Sequence, residues 1–439
     1  MLTVRHSHVK QSISSDNPLA GKTLYIPAMA QGSVEAIAAV FRALGVDARP
    51  TLASNARTLD LGGRFTSGDE CYPAKVTMGD FLRIIEQPGF DATKTAFFMA
   101  TADGPCRFGQ YAQFLKKTLS AAGHGEIEIF SPSSKNGYLA LGNVSAPFMR
   151  SSWRALVCAD TLRKLLLKTR PHESASGAAD KAFDECLTDL CQVLETACFD
   201  PDCQMKSLVA CMMRCRSRFR AVPAHYDRQV PLIGVVGEIF CRLNNFSNED
   251  LVRKLEGCNA ECWISDIAEW IGYTNQEQFR ILKLEGRKYS LAMLGSKIRN
   301  HVQHSDEHQL RAPFEEDFVG YEEPPVTEIL KLAQPYLPSA GSLGEMVLSV
   351  GKAAYLAQHG ADGIVDISPF TCMNGIVTES IYPRLSKDFG GIPIRSFYFD
   401  GTQSSLDRDL GIYMELVRSY SDKKNYPREY PACFGVALA

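Results

Sequence analysis

The sequence predicts an α/β protein made of two Rossmann-like domains with parallel sheets and a helical segment between them. Three observations carry that reading. Short apolar runs of strand length alternate with helical stretches in the first third of the chain. From about Ser151 to Arg220 the alternation stops and only helical periodicity remains. Strands and helices then alternate again towards the C-terminus. The implied divisions are an N-terminal extension (1–20), a first Rossmann-like domain (21–150), a helical segment (151–228) and a second Rossmann-like domain with a helical insert (229–439).

Taken in order, TLYIPAM (23–29) reads as a buried strand ending in a small-residue turn, and SVEAIAAVFRALG (33–45) as a helix closed by glycine. After a polar stretch, VTMGDFLRIIEQPG reads as a helix, KTAFFMATADG (94–104) as a strand running into a glycine turn, YAQFLKKTLSAAG as a helix and EIEIFSP as a strand. The middle holds WRALVCADTLRKLLLKTR, DKAFDECLTDLCQVLETA and QMKSLVACMMRCRSRFR, all helical in period. PLIGVVGEIF (231–240) restores a strand and turn, NEDLVRKLEGCN reads as a capped helix, and 264–312 is helical and amphipathic. GEMVLSVGKAAYLAQHG, GIVDISP, NGIVTESIYPRLSKDFG and IPIRSFYFDG complete a helix–strand–helix–strand run.

With 439 residues, 45% of them hydrophobic, the chain is long enough for two or three cores. A net charge of −3 argues against a nucleic-acid partner, which calls for a basic stripe. The polar start shows no signal peptide, and no apolar run nears the roughly 18 residues of a membrane helix. A soluble cytoplasmic protein with no membrane partner is the expectation. Fourteen cysteines in such a compartment point away from a disulfide framework and towards buried thiols, metal ligands or redox groups.

Three cysteines share a setting: Cys71 in GDECYPAK, Cys106 in ADGPCRFGQY and Cys372 in ISPFTCMNG. The second and third follow a predicted strand and precede a predicted helix, with a proline shortly before and a glycine shortly after. In an open α/β sheet, ligands gather at the carboxyl ends of strands. There a thiol meets backbone N–H groups and the positive end of a helix, which favour thiolate and can donate to the sulfides of a bound cluster. Arg107 acts in the same direction. The spacing of the three carries no pattern of its own, so small buried hydrophobes remain the competing reading.

The segments GDECYPAK, GPCRFGQY, SPFTCMNGIVTESIYPRL and IPIRSFYFDG together resemble the 2-hydroxyacyl-CoA dehydratase and benzoyl-CoA reductase group, and within it the acyl-CoA dehydratase activase-related proteins. VVGEIFCRLNNFSNEDLVRKLE (235–256) resembles the same branch. The resemblance spans most of 22–420 and is weakest in the helical middle. It implies a 4Fe-4S cubane held by Cys71, Cys106 and Cys372, leaving one iron without a protein thiolate for substrate oxygen, water or a sulfur bridging to a second cubane. A double-cubane 8Fe centre would need further ligands, for instance from a second copy of the chain. Arg107, Gln110, Tyr111 and Glu238 are implied as residues around the cofactor, with Lys75 and Arg242 beside them. The implied function is low-potential electron transfer, or reductive or dehydrating chemistry, on a small substrate that in the relatives is a CoA thioester. The implied electron donor is a separate ATP-dependent activase with an actin-like ATPase fold, and the implied assembly a homodimer or heterodimer. The alternative is a non-catalytic activase-associated scaffold or maturation protein with a structural metal site, or cysteines that hold zinc or nothing. The sequence singles out no catalytic residue.

The remaining motifs weigh less. Cys186, Cys191, Cys198, Cys203, Cys211 and Cys215 crowd the helical middle without a zinc or ferredoxin spacing, so core packing is expected of them, as of Cys258 and Cys262. Cys158, Cys241 and Cys433 stand alone and are read as structural. His301, His304 and His308 share a helical face in a charged segment, which favours solvation over metal binding. The GVVGE turn (234–238) allows a phosphate or simply close packing. SVGKAAY lacks the spacing and hydroxyl of a phosphate loop, and no actin-like phosphate loop is found, so ATP hydrolysis is not expected of this chain.

Overall fold

The computed structural model describes residues 13–102, 104–132, 138–196, 200–338, 344–402, 405–424 and 428–431. Cys198, Cys433 and residues 1–12 of the N-terminal extension lie outside the described residues. The first sheet consists of β1 (Thr23–Ile26), β2 (Asp47–Pro50), β3 (Thr95–Phe98) and β4 (Glu128–Phe130). The second consists of β5 (Leu232–Gly237), β6 (Glu261–Ile264), β7 (Gly363–Pro369) and β8 (Ile394–Phe399). Every pairing is parallel, and the order is β2-β1-β3-β4 in one sheet and β6-β5-β7-β8 in the other. The two sheets therefore repeat one strand order. The protein is α/β, as its alternating pattern predicts.

The strands β5 and β7 are buried at every residue, which is why they read as unbroken apolar runs. The edge strands β2 and β6 escape the sequence pattern. DARP carries two charges and a proline on a sheet edge, and ECWI is short and begins with a buried glutamate. The helical stretch expected over 264–312 divides into Ile267–Leu284 and Leu291–Arg311.

The helical segment forms Ser145–Thr169, Ala178–Thr196 and Pro201–Arg220. Its helices share one core with the helix Ser33–Ala43 on the first sheet and the helix Met346–Gln358 on the second. Cys158, Cys186, Cys211 and Cys215 are wholly buried in that core, while Cys191 is half-buried and Cys203 exposed. A second core lies against the second sheet and takes in Ala30, Tyr72 and Val76 from the first unit. Tyr72, the residue after Cys71, is thus embedded in the other α/β unit.

The helix Tyr72–Ile85 crosses the helix Ala56–Gly63 so closely that a Cβ at Gly79 would lie 1.9 Å from the Thr58 carbonyl oxygen. Asp80 fastens the crossing: Ser54 and Thr58 hydroxyls each donate to its carboxylate at 2.7 Å. Burial outweighs these donors and Arg83 and pushes the Asp80 carboxyl up to about 6. The folded protein therefore binds the proton more tightly than the unfolded chain, whose Asp titrates near 3.9. Stability from this group is complete below about pH 4 and is lost as pH rises through 6, by roughly 3 kcal/mol. Urea midpoints at pH 4 and pH 7 for wild type and Asp80→Asn check this; the variant is expected to lose that part of the slope.

Candidate functional site

Parallel sheets bring their loops together at the carboxyl ends of the strands, where the chain changes winding direction between neighbours. In the first sheet that point lies between β1 and β3, and in the second between β5 and β7. Cys106 follows β3 and Cys372 follows β7, so they hold equivalent places in the two sheets. Cys71 starts the helix that leads into β3.

Each of the three cysteines has extended backbone and sits immediately before a helical turn. The dihedrals are φ −72° and ψ 153° at Cys71, −68° and 134° at Cys106, and −68° and 125° at Cys372. The turn after Cys106 is the 3-10 segment Arg107–Gln110, which runs on into the helix Tyr111–Ala121. An oxygen-bearing side chain would ordinarily cap such positions. None of the three sulfurs closes a capping hydrogen bond, although the amides of Ala74, Phe108, Asn374 and Gly375 face them closely enough to favour their ionisation.

One side chain touches all three loops. Arg107, adjoining Cys106, donates from Nη1 to the Asp69 carbonyl at 2.5 Å and from Nη2 to the Thr371 carbonyl at 3.1 Å. Nη2 also lies 3.4 Å from the Thr371 hydroxyl. Asp69 is two residues before Cys71, and Thr371 is the residue before Cys372. Thr371 has φ +61°, a left-handed conformation that costs a β-branched residue strain.

Tyr111 places its hydroxyl on the Cys71 sulfur and packs edge-on against Phe108. Gln110 is exposed, and Lys75 is half-buried beside the helix Ala56–Gly63. Glu238 leaves the end of β5 and accepts from the amides of Phe240 at 3.0 Å and Cys241 at 2.8 Å. Glu345 accepts from the neighbouring Ile239 amide at 3.1 Å. Arg242 turns back onto the Gly237 carbonyl at 2.8 Å.

Burial, with Glu238 acting against the Tyr111 hydroxyl and Arg107, pushes the Cys71 thiol up. Partial burial and the charges of Glu238 and Glu345 raise Cys106 as well. The same causes push Cys372 up to about 12. Burial and the neighbouring Glu238 charge push Glu345 up to about 8. These mutual influences place the three thiols and two carboxyls in one electrostatic neighbourhood. Cys241, which the sequence reads as isolated, belongs to it too: it is wholly buried and feels Glu238, Cys71 and Cys372. Among the described residues, no three His, Cys, Asp or Glu side chains stand close enough to hold a single metal ion.

Sequence motifs identify Cys71, Cys106, Cys372, Arg107, Tyr111 and Glu238, and the fold brings these six into the same region. Glu345 and Cys241 carry no sequence signal, because only the folded approach of residue 345 to the β5 loop reveals them. The three histidines stay on an exposed face; His304 and His308 line a separate cleft of about 440 Å³ beside the helix Leu291–Arg311. No helix among the described residues is long and apolar enough to cross a membrane. No protein-family model matches the chain, and no curated protein matches it.

Proposed function

We propose that the protein is an iron–sulfur redox protein of the 2-hydroxyacyl-CoA dehydratase type, with Cys71, Cys106 and Cys372 as the ligands of a cubane cluster. The observation that carries this reading is that a single guanidinium, that of Arg107 in the Cys106 loop, bonds to the loops of the other two cysteines. A cluster distributes its thiolates over several irons, so its ligands stand farther apart than those of one ion. The donor set suits that chemistry. Three helical turns direct amides at the sulfurs, and such amides stabilise anionic sulfur. Burial and two carboxyls oppose ionisation here, and a coordinated cation reverses that balance.

When bound, a cubane with three protein thiolates supplies a low-potential electron and one iron open to a substrate oxygen. The chain's own residues set its surroundings. The Tyr111 hydroxyl donates to the Cys71 sulfur once that sulfur is a thiolate, and Arg107 adds positive charge, which together favour the reduced centre. Glu238 and Glu345 put two carboxyls within electrostatic reach of the thiols. Phe370, Met373 and Ile376 are exposed around Cys372, which suits docking of a protein partner over the site. In this reading the partner is an ATP-dependent activase that delivers the electron in the cytoplasm. The substrate is a small acyl compound, carried as a CoA thioester in the resembled group, and a homodimer or heterodimer is the working assembly.

The test is purification without oxygen, followed by the visible spectrum and the iron and sulfide content. Brown protein is expected, with broad thiolate-to-iron charge-transfer absorption in the visible and equal iron and sulfide. Cys106→Ser is expected to lose most of the iron while keeping its circular dichroism. A folded, colourless, iron-free wild type sinks the reading.

A further inference from the structure

We propose that Arg107 is a positioning residue that fixes the three cysteine loops relative to one another, and in particular holds the Cys372 loop of the second α/β unit onto the first. The fork of the guanidinium reaches two backbone carbonyls that are distant in sequence, Asp69 and Thr371, while its own backbone follows directly on Cys106. A lysine carries its three donors on one nitrogen, whereas the planar fork of arginine reaches the two carbonyls from separate nitrogens in a fixed geometry. Thr371 supplies a second, independent observation. It is held at φ +61°, a conformation a threonine keeps only where its surroundings impose it, and its carbonyl and hydroxyl both face Arg107. The side chain of Arg107 is exposed, and no carboxylate hydrogen-bonds to it among the described residues, so the two loops are what it serves. Elsewhere the units are joined by packing, such as Tyr72 in the second core, and by Asn244 donating to the Ala28 carbonyl at 2.9 Å. Tyr111 on the Cys71 sulfur ties the two cysteine loops of the first unit, and Arg107 adds the tie from both of them to the Cys372 loop.

The proposal needs no bound cluster for its first test, and rests on the iron–sulfur reading only for its second. In metal-free, reduced protein, a short bis-maleimide is used to join Cys106 to Cys372, and the linked peptides are measured by mass spectrometry. Arg107→Met is expected to lower that yield several-fold with an unchanged melting temperature, and Arg107→Lys to restore part of it. In the anaerobically loaded protein, a ferrous chelator is expected to strip iron roughly ten- to a hundredfold faster from Arg107→Met than from wild type. A cross-linking yield in Arg107→Met equal to wild type overturns the proposal. If wild type takes up no iron while the cross-link still falls in the variant, the positioning role stands and the cluster reading fails. Should Arg107→Met not fold, Arg107→Lys carries the cross-linking test, and a wild-type yield there overturns it.

Discussion

Replacing Glu323 with alanine is expected to cost about 4–5 kcal/mol of stability, the upper part of the range for breaking a buried charge network. The Glu323 side chain is only 7% exposed and accepts from the ammonium groups of Lys164 and Lys352 and from the Trp263 indole at 2.8 Å. Burial alone would raise its carboxyl, but Lys164, Lys352 and Arg311 overcome that and hold it far below the usual carboxylate range. The two lysines differ. Burial dominates at Lys164 and lowers its pKa, whereas Lys352, whose side chain is wholly buried, also pairs with Glu269 at 3.2 Å and is raised. Without Glu323, Lys352 keeps Glu269 as a partner, whereas Lys164 loses the carboxylate it pairs with and keeps only the more distant influence of Asp266 among the described residues. Lys164 then folds more easily when neutral, so the unfolded chain binds more protons than the fold, and the variant is expected to regain stability as pH rises towards 10 (about the unfolded lysine pKa). Urea midpoints of Glu323→Ala at pH 7 and pH 9.5 measure both effects. Glu323→Leu combined with Lys164→Met, which removes the charges as a pair, is expected to recover much of the loss. A double variant no better than Glu323→Ala would show that the indole contact, not the ion pair, dominates.

That network also marks where the sequence stopped being informative. Lys352 lies in SVGKAAY, where the sequence offers only an incomplete phosphate loop, yet the helix around it is buried on nearly every side. A lysine in a helix reads as solvent-facing unless its carboxylate partners are known, and Glu269 and Glu323 are far away in sequence. The central strands β5 and β7 were legible for the opposite reason, since burial on both faces writes itself as an apolar run. The edge strands β2 and β6 bury less regular sequence and were missed. At the site, the cysteines were legible from the short motifs around them. The grip of Arg107 was not, because its acceptors are backbone carbonyls and every residue has one.

Gly237→Ala is the second large effect, and it joins stability to the site. Gly237 ends β5 at φ +114°, a conformation that costs any residue with a Cβ. A Cβ there would lie 2.2 Å from the Ile367 carbonyl oxygen and 2.5 Å from the Ile367 amide nitrogen. Both atoms belong to β7, whose pairing with β5 runs through Gly237 and Ile367. The chain must therefore part these strands at their carboxyl ends or twist the turn, and strain plus overpacking is expected to cost about 3–5 kcal/mol. The damage falls where the site is built. Glu238 follows Gly237 and its amide donates to the Ile367 carbonyl at 2.9 Å, while β7 runs on through Pro369 to Cys372. Hydrogen exchange should reveal lost protection first in 236–241 and 366–373, with β1 and β3 changed little. Anaerobic iron uptake should fall in parallel with that protection. A variant that melts much earlier yet keeps wild-type protection in both segments would show that the close approach of β5 to β7 does not govern the Cys372 loop.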